Sequence, residues 1–266
     1  MKEENKFEFG KNWHKFLSNS FSVEALKASK NRLSEFLAPI SLENKTFVDF
    51  GSGSGLHSLS ALELGASKVV SIDADFEAVR CAESLRENSP YDEKWQIKEG
   101  SLLDQDFLSS LGFFDIVYCW GVAHHTGDMW QALQNISKNV KNGGLFFVAI
   151  YNFVEGRGGS HMWHQVKKLY NQSPYFIKKI MEWVYISYNF LILILHLKNP
   201  FTVIKNYKTK RGMAWKTDLV DWLGGYPYEY ASVKQIFDFY KKRGFELVNI
   251  KTTNYIGCNQ FLFIKK

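Results

Sequence analysis

The chain has 266 residues, 45% of them hydrophobic and 23% charged, enough for one α/β domain carrying an insertion. Its three cysteines, Cys81, Cys119 and Cys258, are far apart and never in C-x-x-C spacing. That argues against a disulfide framework or a zinc site and fits a reducing cytoplasm. The net charge of +6 is uneven: residues 152–230 hold eleven Lys and Arg against five Asp and Glu, whereas the remainder is balanced at 22 of each. The basic excess is therefore a property of that segment alone.

The charged N-terminus, Met1 to Lys6, leads to no apolar stretch, so no secretory signal is expected. Apolar spacing over Phe21–Leu37 predicts a helix, with Ser22 as N-cap and Phe21 and Leu26 as a staple around it, stopping near Pro39. Then the pattern alternates. Strands are expected at 46–50, 68–73, 95–99, 115–118 and 145–151, and helices at 56–64, 76–87, 106–111 and 128–140. A helix at 233–242 and strands at 245–251 and 259–264 close the chain, the last two antiparallel because their connection is short. Such alternation implies an α/β fold: a parallel sheet with a reversed last strand and helices on both faces. The expected organisation is an N-terminal lid and helix (1–45), a core (46–151 and 231–266), and a mostly helical cap (152–230).

The first strand, Phe47-Val48-Asp49-Phe50, runs into Gly51-Ser52-Gly53-Ser54-Gly55, and the second strand ends on Asp73, followed by Ala74. A turn without side chains lets backbone N–H groups approach a ligand, and a carboxylate at the next strand end can accept two ribose hydroxyls. Leu56 stands where a dinucleotide fingerprint needs its third glycine. Asp49, expected at the mouth of the strand rather than in it, would repel a pyrophosphate and suits a cationic amino-acid head group. Two further loops follow strands: Gly100-Ser101-Leu102-Leu103-Asp104, and the one opened by Cys119-Trp120-Gly121.

These stretches resemble motif I and motif IV of the class I S-adenosylmethionine (SAM) methyltransferases. Val122-Ala123-His124-His125-Thr126 looks like the V-L-H-H variant of their small-molecule branch, typified by ubiquinone-biosynthesis O-methyltransferases. The resemblance covers about Thr46 to Tyr151 and the last two strands. It implies SAM as cofactor, with Asp49, Gly51, Ser52 and Gly53 at the methionine end, Asp73 and Ala74 at the ribose, Ser101 and Leu102 at the adenine, and Trp120 below the sulfonium. It also implies an N-terminal lid, for which Trp13 and Phe16 are the candidates.

SAM carries its own leaving group, so one base is often enough. His125 and His124 are the candidates, because an imidazole can take a hydroxyl proton near neutral pH. Tyr151, Asn152, Tyr226, Tyr228 and Glu229, with Asp221, are candidate substrate contacts. His161 and His164 stand three apart without a carboxylate cluster, so no metal is expected. The apolar run Trp183–Leu195 is too short to span a bilayer and reads first as a buried cap helix. Its flanking lysines and aromatics also allow a membrane-surface or oligomer-forming helix.

Three functions stay open: methyl transfer to O or N of a small-molecule metabolite; RNA methylation, with Trp163, Tyr170, Tyr175, Tyr207 and Trp215 as stacking residues in the basic segment; and non-catalytic SAM binding. No (N/D)-P-P-(Y/F) tetrad follows the fourth strand, against base-amine methylation.

Overall fold

The computed structural model describes residues 23–205, 207 and 215–266. The expected lid residues Trp13 and Phe16 and the Ser22 cap lie outside these. Seven strands form one sheet: β1 (Thr46–Phe50), β2 (Lys68–Asp73), β3 (Trp95–Glu99), β4 (Phe114–Trp120), β5 (Val140–Tyr151), β6 (Phe245–Lys251) and β7 (Cys258–Lys265). Their order is β3-β2-β1-β4-β5-β7-β6, with β7 antiparallel to both neighbours and the other pairs parallel. The reversed last strand and the parallel core are as expected from the alternation. β5 starts earlier than expected, at Val140, because the chain stays paired with Phe114 across a register shift before Leu145.

Side chains alternate across the sheet and build two cores. Val48, Phe50, Val70, Ile72 and Phe146 face one side, where α5 (Met129–Ser137) and α10 (Val233–Lys241) cover them with Leu133, Ile136 and Tyr240. Phe47, Val69 and Phe147 face the other, under α1 (Val23–Leu37), α2 (Leu56–Glu63) and α3 (Phe76–Glu87). In α1 the inward residues Ala25, Ser29, Leu33, Phe36 and Leu37 recur at helical spacing, and Ser60 on α2 donates to Ser29 at 2.8 Å. The short α4 (Gln105–Ser110) is capped by Asp104, which accepts from Phe107 N–H at 3.0 Å.

Between β5 and α10 the insertion folds as α6 (Ser160–Gln172), α7 (Tyr175–Leu195), α8 (Pro200–Lys205) and α9 (Trp215–Gly224). Tyr170, Leu219 and Leu223, packed by Trp163, Val166, Met181 and Tyr185, form its own small core. Here one expectation is overturned. The apolar run on α7 is not buried: of that helix only Glu182 is, and Trp183 is 68% and Leu195 71% exposed. The insertion's core uses one stripe of α7, and among the described residues the other is exposed.

At the N-terminal edge of the sheet, away from the glycine turn, Asp115 clamps three strands. Its carboxylate accepts from Thr46 N–H (2.8 Å), Thr46 Oγ1 (2.6 Å) and Lys141 Nζ (2.9 Å). Partial burial opposes ionisation, but the Thr46 hydrogen bonds and the Lys141 ammonium outweigh it and hold the pKa at about 2. The depressed pKa means this contribution is present above the ordinary value of 3.8 and is lost as pH falls toward 2. Asp115→Asn is expected to cost about 1–2 kcal/mol in urea unfolding at neutral pH and to remove part of that acid limb.

Candidate active site

The glycine turn 51–55 sits at the C-terminal end of β1. Gly51, Gly53 and Gly55 hold φ of +73°, +54° and +78°, which side-chain-bearing residues rarely adopt. Both Gly51 N–H (2.7 Å) and Ser52 N–H (3.0 Å) donate to the Ile72 carbonyl, locking the turn onto β2. Gly51 is also needed for close approach: a Cβ there would lie 2.3 Å from Val122, the residue preceding the histidine turn. The two loops that the sequence singled out therefore touch.

Asp49 is not at the mouth of its strand. It is 2% exposed, beneath the turn, at the end of a relay of buried donors. Trp95 Nε1–H donates to Ser71 Oγ (2.7 Å), Ser71 to Ser58 Oγ (2.6 Å), and Ser58 to Asp49 Oδ2 (2.7 Å). An indole N–H can only donate and an ionised carboxylate can only accept, so with Asp49 ionised the direction of the relay is fixed. Asp73 closes the other side of the turn, accepting from Gly53 N–H (2.9 Å) and Asp75 N–H (3.0 Å). Burial raises the Asp49 pKa to about 7, against the Ser58 hydrogen bond and with the help of the nearby Asp73 charge. Burial likewise raises that of Asp73.

The Asp73 charge adds to the cost of ionising buried Asp49, a cost that a nearby cation would offset. Ser52 Oγ is also buried without a hydrogen-bond partner. The donor set and the bare turn therefore fit SAM, whose ammonium and sulfonium are cationic and whose ribose offers hydroxyls. Trp120, 41% exposed at the end of β4, stacks toward His57 of α2 at 6.5 Å and 28°. The other loop candidates divide. Ala74 and Ser101 are exposed, while Leu102 is 5% exposed in the core and offers only its carbonyl, taken by Asn135 Nδ2 at 3.0 Å.

The histidine turn lies between this turn and the insertion. His125 Nδ1 is 2.6 Å from the Pro227 carbonyl, which can only accept, so Nδ1 carries the hydrogen and Nε2 the lone pair. Burial lowers its pKa to about 3, with the Lys167 charge adding to the shift, so the ring is neutral at physiological pH. His124 is fully buried, and its Nδ1 accepts from Tyr151 N–H at 3.3 Å. Burial holds it well below the ordinary range, and its Nε2 is buried without a partner. Enclosed on both nitrogens, His124 is not placed to exchange a proton with a substrate; His125 is the better of the pair.

The candidate substrate residues separate in the same way. Tyr151 packs between His124 (4.0 Å) and Trp222 (5.7 Å), and Tyr228 is buried 4.9 Å from Tyr151. Tyr226 is half-buried beside His164 at 5.7 Å. Two candidates are taken by the fold. Glu229 accepts from Gly127 and Met129 N–H (3.1 and 3.0 Å), capping α5, where a carboxylate is favoured by the helix dipole. Asn152 donates to the Thr253 carbonyl (2.9 Å) and accepts from Asn259 (2.9 Å), latching β5 to the β6–β7 connection. His161 and His164 contact Tyr230 Oη and the Tyr228 carbonyl instead of each other. Among the described residues no cluster suited to a metal ion occurs.

The residues missed by sequence reasoning are Lys167, Trp222 and His57. Lys167 on α6 is fully buried, hydrogen-bonded to the Trp222 carbonyl, with its Nζ 4.0 Å from the Trp222 ring centre and 5.0 Å from that of Tyr228. Burial lowers its pKa to about 7, opposed by the charge of Asp221. In the sequence it is one lysine of a basic segment; the one usable signal is its place beside Val166 and Tyr170 on an inward helical stripe. Trp222 also borders a cavity of about 490 Å³ between the insertion and the β6–β7 connection, whose Asn254, Tyr255 and Ile256 line it. Trp163, Tyr185, Tyr207 and Trp215 line it, with Arg157 and Asp218 as its charged residues.

Residues 48–148 match the family model described as a methyltransferase domain. Among curated proteins, ribosomal protein L11 methyltransferase of Shewanella halifaxensis (strain HAW-EB4) is 29% identical over 111 residues, 42% of this chain and 35% of the relative. That of Aliivibrio fischeri (strain MJ11) is 51% identical over 45 residues, 17% of this chain and 15% of the relative. The chain thus spans about a third or less of the length of these relatives. Among solved structures, magnesium protoporphyrin IX methyltransferase from Synechocystis PCC 6803 with bound SAH superposes with a TM-score of 0.57 at 13% identity, covering 96% of this chain and 94% of that one. An O-methyltransferase family protein from Burkholderia thailandensis gives 0.56 at 11% identity, covering 90% and 57%.

The Asp49–Asp73 pair predicts a pH-dependent affinity. A cation near Asp49 favours its ionised form, so SAM binding should release a proton and tighten as pH rises through about 7, then level off. Calorimetry in buffers of different ionisation enthalpy measures this, and Asp49→Asn should flatten the dependence. Asp73→Ala should weaken SAM binding by about tenfold to a hundredfold, the scale of lost hydrogen bonds to a charged acceptor. Residues 48–148 thus carry a methyltransferase domain, set in a seven-stranded sheet with a reversed last strand.

Proposed function

We propose that this protein methylates an oxygen or nitrogen of a small-molecule metabolite, with His125 as the base. The observation that carries the reading is the aromatic cavity of about 490 Å³, within the range of small-molecule sites, sharing Trp222 with the His124–Tyr151–Lys167 cluster. Asp49, Gly51, Ser52, Gly53, Asp73, Ala74 and Trp120 would hold SAM. Bound there, SAM would supply a methyl group from its sulfonium, with a neutral thioether as the leaving group.

The chain's own part is to hold the acceptor and take its proton. His125 Nε2 accepts the proton while the Pro227 carbonyl, 2.6 Å from Nδ1, keeps the ring in one tautomer and stabilises the imidazolium as it forms. Gly225 makes room for this: a Cβ there would come within 3.0 Å of His125 Cε1. The low pKa leaves His125 a weak base in the resting site but keeps it in the acceptor form across the physiological range. Its basicity would rise as negative charge develops on the substrate. Tyr151 and Tyr226 would flank the acceptor.

The insertion gives less support to RNA. Tyr170 is buried, Trp163 and Trp215 pack against the insertion's core, and Tyr207 lines the cavity, so four of the five aromatic residues do not form an open stacking platform. His125→Ala should lower turnover by about a hundredfold or more and leave the SAM Kd unchanged. Equal turnover in both proteins would remove His125 from the mechanism. Trp222→Ala should raise KM for the substrate with little effect on SAM affinity, as measured by steady-state kinetics and calorimetry.

A further inference from the structure

The outer face of α7 is apolar along its whole length. Among the described residues, eleven of the 21 exposed large hydrophobic side chains lie between Tyr175 and Phe201. The exposed positions of the helix are 175, 176, 180, 183, 184, 187, 188, 191, 194 and 195, and Ser187 alone among them is not a large hydrophobic residue. None is charged. A helix of 21 residues presents this stripe over roughly 30 Å. The stripe is far from the scattered single exposures normal on a protein surface.

The helix's charged residues lie off that stripe. Glu182 is buried, accepting from Tyr170 Oη at 2.9 Å and Lys179 Nζ at 2.8 Å. Lys178 is half-buried, its Nζ 5.6 Å from the Tyr170 ring centre. Among the described residues no helix is long and apolar enough to cross a membrane, so the stripe suits lying along an apolar boundary. Trp183 and Tyr188 on it are of the type that favours the headgroup region.

Charge chooses the occupant. The insertion bearing α7 holds the chain's whole excess of positive charge, eleven basic residues against five acidic, with Lys168, Lys198 and Lys205 exposed on or beside its helices. Pairing two copies through this face would bring two such insertions together and be opposed by like charge. An anionic lipid surface would be attracted by the lysines near it. We infer that α7 is a membrane-surface anchor whose uncharged face lies in the headgroup boundary of a bilayer containing anionic lipid. The same helix gives Tyr185 and Asn189 to the cavity, so docking would set the cavity beside the membrane surface.

Flotation of the full chain with vesicles of phosphatidylglycerol and phosphatidylcholine tests this. The protein should float with the mixed vesicles, several-fold less with phosphatidylcholine alone, and less as salt rises. The double substitution Trp183→Glu and Leu191→Glu should lower partitioning by about tenfold or more while SAM binding is kept. As a check that does not depend on that variant folding, Leu191→Cys carrying an environment-sensitive dye should shift to the blue on vesicle addition. Absence of flotation, flotation unchanged by the double substitution, equal binding to neutral vesicles, or an unshifted dye would each overturn the inference. A lipid-free dimer that the double substitution dissolves, without flotation, would assign the face to a second copy instead.

Discussion

Two carboxylates on either side of one glycine turn, Asp49 buried and Asp73 half-buried, are the constraint around which the site is built. Asp49 is fixed from below by the relay from Trp95 through Ser71 and Ser58, and Asp73 from above by the N–H groups of Gly53 and Asp75. Neither set of hydrogen bonds offsets the cost of burial, since both pKa values stay raised. Protein stability alone would favour a neutral pair there. The arrangement makes sense as a receptor for positive charge, in which the cofactor supplies the missing partner.

The same turn organises what lies beyond it. Val122 fills the space left by the absent side chain of Gly51, and three residues later His125 is held by Pro227, from the loop that returns the insertion to the core. That loop also supplies Glu229 to the N-terminus of α5 and the Tyr228 carbonyl to His164 of α6. Cofactor turn, candidate base and insertion are therefore one connected structure. Disturbing the 225–229 loop would be felt by the base and by α5 together.

How much of this was legible in the sequence depended on the range of the interaction. The strands and the glycine turn were readable because alternation and backbone freedom are local properties; Gly51 and Asp73 stand where their spacing put them. Glu229 and Asn152 looked like substrate residues because an exposed polar loop and a capping carboxylate share a composition. Only the arrival of α5 and of the β6–β7 connection decides between them. Lys167 was invisible for the opposite reason: a lysine among ten other basic residues reads as solvated until Trp222 and Tyr228, more than fifty positions away, close around it. The outer stripe of α7 was read as interior because hydrophobicity reports a preference for leaving water and says nothing of which apolar medium receives it.

The central claim is that this cofactor site serves a small-molecule acceptor. Incubating the protein with methyl-labelled SAM and a fractionated cell extract, then following the label, tests it most directly. The account predicts label in the solvent-extractable or low-mass fraction, lost with His125→Ala. Label confined to RNA or to protein, or no transfer to any fraction although SAM binds, would contradict it.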